Sequence, residues 1–392
     1  MSFRLAATVR AREIMQIKIN KRSVYAPIRY EATRPFAIHV GKHFIAESKR
    51  GEAARMAFVR EQLLPLLKRA AAKIGRENGP GPLQCEMVNT QVFGSYMDGG
   101  KIIFDLSESL RQTLLITDAE DIPCGELVFP AKCFYLHFGA ESGLSNDGVN
   151  IEGAFVACLD DRMTIDLVPQ GFGQPHFLSL PMGESMIGVS VLLNEPSKLV
   201  SQALVDSIAD VLAANAKMYE QMAGMERRLE RQYGQVVKVP APVERLAEKG
   251  PLLQKALSLI VNTMFYLAVE PQDISDDWGR DTPAEALVAL QAAIKPGAVK
   301  TIENTLLKAG YSKVRFAGKM FAQSIAARHI REVAESGKTI AAHFRRGHFR
   351  RQPYGPERTL RKTIFVAPVL VNAGYGGEAQ GRIYAVPPPE IS

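Results

Sequence analysis

Cysteine is scarce. Cys85, Cys124, Cys133 and Cys158 are the only four in 392 residues, and no two of them form a CxxC pair or a metal-ligand spacing. That excludes a disulfide scaffold and a zinc site, and suits free thiols in a reducing compartment. Long apolar runs are also missing: none approaches the roughly 18 residues of a membrane span, and the first residues lack the continuous apolar stretch of a secretory signal. A cytoplasmic location without a membrane partner is expected. No phosphate-cradling Walker sequence, dinucleotide glycine fingerprint, GxSxG elbow or HExxH pair occurs. These absences predict no cofactor and no metal, and the chain does not announce an enzyme.

The composition, 46% hydrophobic and 23% charged, is that of an ordinary globular protein. A chain of 392 residues exceeds the usual single core, so two domains are expected. The fold class expected is α+β. A basic leader (1–30) precedes an α+β domain (31–235) built on a central antiparallel sheet with a long helix. A linker (236–250) with Pro240, Pro242 and, just beyond, Pro251 leads into a mainly helical domain (251–392) that ends in a basic β-hairpin. The leader carries seven cations against Glu13 alone.

Within the first domain, "MQIKIN" to "AIHVGKHF" reads as short and β-like, broken by Pro27 and Pro35. "ESKRGEAARMAFVREQLLPLLKRAAAKIG" predicts a helix that Pro65 kinks or divides, and Gly79 to Pro82 a loop. "KIIFDLSESLRQTLLI" fits a strand and a helix start equally. "ELVFPAKCFYLHFG", "GAFVACLDDRMTIDLVPQ" and "MIGVSVLLN" are aromatic and β-branched between turn formers, which predicts antiparallel strands. His137 alternates with aromatics there and is expected as a satisfied sheet histidine. Asp160, Asp161 and Asp166 are read as two turn residues and an outward strand position rather than a hard-cation site.

The longest helical signal follows Pro196. Leu204, Ile208, Val211, Asn215, Met218, Met222, Met225 and Leu229 recur at spacings of four and three. Such a seam either packs on the sheet or joins two chains as a homodimer through 204–229. The stripe Met218, Met222 and Met225 suits core filling or a groove for apolar peptides. In the second domain "LLQKALSLIVNTMFYLAV", "DTPAEALVALQAAI", "GAVKTIENTLLKAG" and "FAQSIAARHIREVAESG" predict helices. The second of these should start with Thr282 as N-cap, Pro283 in the first position and Glu285 closing a capping box.

Residues 343–362, "HFRRGHFRRQPYGPERTLRK", hold seven lysines and arginines against one acid. Turn formers Pro353, Gly355 and Pro356 predict a long-looped hairpin, with a bulge at Gly347 needed to bring Phe344 and Phe349 to one face. Arginine donates two hydrogen bonds to a phosphate at once and stays charged. Arg345, Arg346, His348, Arg350, Arg351, Tyr354, Arg358, Arg361 and Lys362 are therefore the candidate nucleic-acid contacts, with Tyr354 placed to stack on an unpaired base. The alternative is a solvated hairpin whose charges balance acids such as those of "DISDDWGRD", 273–281. A metal-independent ribonuclease is a second reading, with His343 and His348 as base and acid beside guanidinium groups. A plasmid or phage DNA-binding factor is a third.

"RRGHFRRQPYGPERTLRKTIFVAPVLV" resembles the C-terminal signature of the type V anti-CRISPR proteins of phages and plasmids, with Phe349 where the family pattern carries tryptophan. "FPAKCFYLHFG" and "GAFVACLDDRMTIDLVP" look like that family's central sheet, so the resemblance spans residues 30 to 371. It implies a binding protein that recognises the nascent N-terminal peptide of a host defence nuclease and causes loss of its message. Carried over, it places Arg345, Arg346, His348, Arg350, Arg351 and Tyr354 near RNA or the ribosome, and a groove for the peptide elsewhere.

Overall fold

The computed structural model describes residues 20–34, most of 40–65, 80–117, 122–173 apart from 160, 186–213 apart from 204, 211 and 212, 243–324, and 343–371 apart from 346, 367 and 368. Side chains of 80–87, 243–249 and 343–346 lie outside the description. Pro27 starts a helix rather than breaking a strand: α1 spans Ala26–Thr33 with the proline in its first turn, where no N–H is required of it and its φ is already helical. Helix α2 (Glu52–Phe58) runs into a π-turn at Val59–Leu63, just ahead of Pro65, which has no N–H to give the carbonyl four residues back. Pro80 opens helix α3 (Pro80–Asp98) where a loop was expected.

The ambiguous run after it is both element types. Strand β1 (Ile102–Leu106) ends at Ser107, whose side chain accepts the Leu110 N–H and caps helix α4 (Glu108–Leu115). The predicted strands follow as β2 (Cys133–His137), the short β3 (Ser145–Asn146), β4 (Val149–Leu159), β5 (Arg162–Pro169) and β6 (Ile187–Leu192). β2 and β4, β4 and β5, and β5 and β6 pair antiparallel as expected, with Tyr135 opposite Phe155 and Phe155 opposite Asp166. A register shift between Ile151 and Gly153 marks a bulge at Glu152.

Helix α5 begins at Val243, inside the expected linker, and continues through Pro251 to Val269. Its segment Gly250–Val269 is long and apolar enough to cross a membrane, against the expectation that no run comes near that length, and 67% of that window is buried within the fold. Asn262 on it donates to the carbonyls of Leu114 and Thr117 at 3.0 and 2.8 Å, satisfying the open C-terminal end of α4. Strand β7 (Ile274–Trp278), helices α6 (Ala284–Ala292) and α7 (Pro296–Lys308), and strand β8 (Lys313–Ala317) come next. The capping box before α6 does not form: the helix starts one residue later than expected, with Pro283 in the cap position, and the buried Thr282 hydroxyl has no partner.

β7 and β8 join the main sheet, whose order is β6-β5-β4-β2-β1-β8-β7 with β3 on β4. β1 is parallel to both neighbours, β2 and β8, so the sheet is mixed where the sequence suggested an antiparallel one. Strands from both sides of the expected linker thus share one sheet. Gly318, at φ +92, allows this closure, because a Cβ there would sit 2.4 Å from Ser107 Oγ and 2.6 Å from Leu110 Cβ. One face of the sheet packs on α4 and α5 through Leu110, Leu114, Leu257, Ile260 and Met264. The other packs on α1 and α3 through Tyr25, Tyr30, Phe93 and Tyr96. Residues 200–203 and 205–210 are helical as expected, with Ile208 against the core. Leu204, Val211, Asn215, Met218, Met222, Met225 and Leu229 lie outside the described residues.

Candidate nucleic-acid interface

The basic segment is built of two antiparallel strand pairs. Strand β9 (His343–Arg345) pairs with β12 (Val369–Val371), and β10 (His348–Tyr354) with β11 (Leu360–Val366), both antiparallel. Arg345 faces Val369 and His348 faces Val366, three residues further along each strand. The register is thus the same on both sides of Gly347, and no bulge is seen there among the described residues. Strand alternation assigns positions 343 and 348 to opposite faces, whereas the ribonuclease reading needs two imidazoles on one phosphate. The side chains of His343, Arg345 and Arg346 lie outside the described residues.

Alternation also divides the cations. Phe349 faces the body and is 6% exposed, with ring centroids 5.4 Å from Phe265 and 5.1 Å from Phe365. Phe365 in turn meets Tyr266 edge-on at 5.4 Å and Phe321 at 6.0 Å. Two residues on, Arg351 and its cross-strand partner Thr363 share that inward face, and both bind Glu126: Arg351 Nη2 at 2.8 Å and the Thr363 hydroxyl at 3.0 Å. Arg351 is thus an anchor within the fold.

The opposite face carries His348, Arg350, Gln352 and Tyr354 on β10, with Lys362 and Leu360 on β11. Arg350 is exposed and donates to Gln352, a neutral acceptor that leaves its charge uncompensated. Tyr354 is 43% exposed, and Lys362 Nζ lies 5.7 Å from its ring centroid. The turn adds Arg358, whose φ of +57, next to Glu357 at +52, holds two successive non-glycine residues in the left-handed region. Arg361 sits at the distal end opposite Pro353. Among the described residues, Arg350, Arg358, Arg361 and Lys362 make no ion pair.

The acids of 273–281 are used elsewhere. Asp273 accepts from the Tyr266 hydroxyl at 2.6 Å and from the N–H groups of Met320 and Phe321, at the start of the helical stretch 319–324. Asp276 pairs with Arg315 and Asp277 with Lys319, and Asp281 accepts from Asn20 and Ser23. Glu126, which no sequence motif marks, is the acid that meets the hairpin. Of the other candidates, Asp161 lies in the β4–β5 turn beside Arg162, Asp166 is half-buried on β5, and Asp160 is outside the description. His137 is buried in β2, but it is not satisfied as expected: its Nδ1 has no partner.

The chain thus builds a mixed sheet between helical layers, with basic strands docked by aromatic rings on one of them. The sequence pattern of the AcrVA2-like family, anti-CRISPR type V subtype A2, matches residues 104–373, more than half of the chain, and the chain belongs to that family. Among solved structures it is similar to the crystal structure of AcrVA2, at 14% identity and a TM-score of 0.44, over 89% of this chain and 100% of that one. No curated protein matched.

Proposed function

We propose that this family member lowers the expression of a host defence nuclease by acting on its translation, holding the nascent peptide while the basic hairpin contacts the message or ribosomal RNA. Membership in an anti-CRISPR family supports the class of target. The observation that carries the RNA contact is the split of the cations: Arg351 is spent on Glu126, whereas Arg350 and Lys362 on the opposite face, with Arg358 and Arg361 at the distal end, stay exposed near a half-exposed tyrosine. Cations kept out of internal ion pairs beside an aromatic face suit a phosphate backbone with unstacked bases. The message is cut by a cellular nuclease, and the work takes place in the cytoplasm.

RNA binding by the pure protein over a salt series tests the contact. The fourfold variant Arg350→Ala, Arg358→Ala, Arg361→Ala, Lys362→Ala should keep its thermal transition and bind more weakly. Its log-log salt slope should flatten by about one for each phosphate that the variant no longer neutralises. Equal binding by wild type and variant would remove the hairpin from the reading. In a cell-free translation reaction the protein should lower the nuclease message only when its start codon is intact. Equal loss of an untranslated message would argue against nascent-peptide recognition.

A further inference from the structure

Arg111 is a buried cation without a counter-ion among the described residues. It lies on α4, one turn past the carboxyl end of β1, and is 6% exposed. Its Nη1 donates to the Phe138 carbonyl, and its Nε has no acceptor. The acids that act on it, Glu108 and Glu141, are exposed and form no ion pair with it. Burial pulls its pKa down, the mark of a charge that has left water without gaining a partner. A buried guanidinium in that condition is costly, and an anion relieves the cost.

The buried carboxyl groups nearby are already claimed by other partners. Arg29 is fully employed, on Glu152 and on the carbonyls of Ser23, Val24 and Phe172. Arg280, half-exposed, holds Asp105 at 2.7 Å, and Tyr25 donates to the other oxygen of that carboxylate. Three guanidinium groups therefore face two carboxylates, each already claimed. His137 stands among the three with Nδ1 unpartnered, and burial with the nearby arginines holds it neutral, its pKa lowered to about 3.

The backbone leaves the site open on one side. Gly139, at φ +83, follows β2, and a Cβ there would sit 3.4 Å from Arg111 Nη1. The group also lies where β1 has a parallel neighbour on each side, β2 and β8. Beyond the carboxyl ends of such strands is where open sheets take small ligands.

We propose that the carboxyl ends of β1 and β2 form a binding site for a small monocarboxylate, with Arg111 as its ion partner and His137 and Arg280 at its edge. The planar fork of Arg111 matches a carboxylate, and one added negative charge supplies the ion partner that Arg111 lacks. A phosphate dianion would overshoot and meet Asp105 and Glu152 as like charges.

The test uses the full chain at pH 7, with thermal unfolding and titration calorimetry in sodium acetate against sodium chloride at matched ionic strength, and inorganic phosphate as a third arm. Wild type should show a saturable rise in Tm with acetate over chloride. Arg111→Met, which keeps the bulk and removes the charge, should stay folded in chloride and lose acetate affinity at least about tenfold. Gly139→Asn, tolerable at positive φ, keeps Arg111 and fills the open side, and it should lose the acetate response even if Arg111→Met does not fold. The proposal falls if acetate and chloride act alike on wild type, if either folded variant keeps wild-type acetate affinity, or if phosphate binds more tightly than acetate.

Discussion

At the scale of single residues, the fold rests on buried groups whose roles differ in sign. Phe349 pins the hairpin to α5 through Phe265 and meets Phe365 across the hairpin. Phe349→Ala is expected to cost about 3 kcal/mol or more in denaturant unfolding, since the cavity opens inside an aromatic cluster. Asp166 is the opposite case. It forms no ion pair, and burial raises its pKa to about 6. The folded state holds this proton more tightly than the unfolded one, so the penalty for ionising Asp166 is absent below about pH 4, grows between about 4 and 6, and is complete above. Asp166→Asn should therefore be more stable than wild type above pH 6, by up to about 2–3 kcal/mol, and lose that advantage at pH 4. A gain that does not change with pH would show that Asp166 is not the titrating group. These roles were only half legible. The strand alternation of "FYLHF" marked His137 as interior, but a missing hydrogen-bond partner is a property of its neighbours and leaves no pattern in sequence.

At the scale of elements, the hairpin shows how far local pattern reaches. Turn formers at Pro353, Gly355 and Pro356 stand at the distal end of the ladder that runs from His348–Val366 to Tyr354–Leu360. The bulge at Gly347 was inferred from the wish to bury Phe344 together with Phe349, and the equal register of the pairs on either side of Gly347 speaks against it. Which arginines are free was also hidden, because alternation gives two faces and only the docking partner decides which is inward. The Arg351–Glu126 pair is partly exposed, at 50% and 27% of the side chains. A double-mutant cycle on Arg351→Ala and Glu126→Ala should return a coupling of only about 0.5–1 kcal/mol. A coupling near zero would leave the aromatic contacts as the whole of the docking. Helix α1 teaches a related lesson: Pro27 is a breaker inside a strand and a starter in a helix's first turn, and the choice depends on what α1 covers.

At the scale of the whole molecule, β1 is the hinge of the topology, with β2 from one half of the chain on one side and β8 from the other half on the other. α5 supplies Leu257, Ile260 and Met264 to the same core as Leu136 and Val156. A chain ending at residue 235 would leave β1 without its β8 neighbour and one sheet face without its main cover. It should lack a cooperative thermal transition, and supplying residues 236–392 in trans should restore one. A sharp transition in the truncated chain alone would show that the first half carries its own core.

What the sequence by itself determined is whatever repeats within a dozen residues: the alternation of β2, β4, β5 and β6, the apolar period of α5, the turn chemistry of the basic hairpin, and the C-terminal block that announced the anti-CRISPR family. The tertiary structure alone decided how β1 is flanked, which hairpin face is anchored, that Glu126 meets Arg351, and that Arg111 is buried without a counter-ion among the described residues. The physical reason is one of range. Backbone preference and amphipathic period act between near neighbours and are written along the chain, whereas strand partners, desolvation and charge balance depend on residues that only folding brings together.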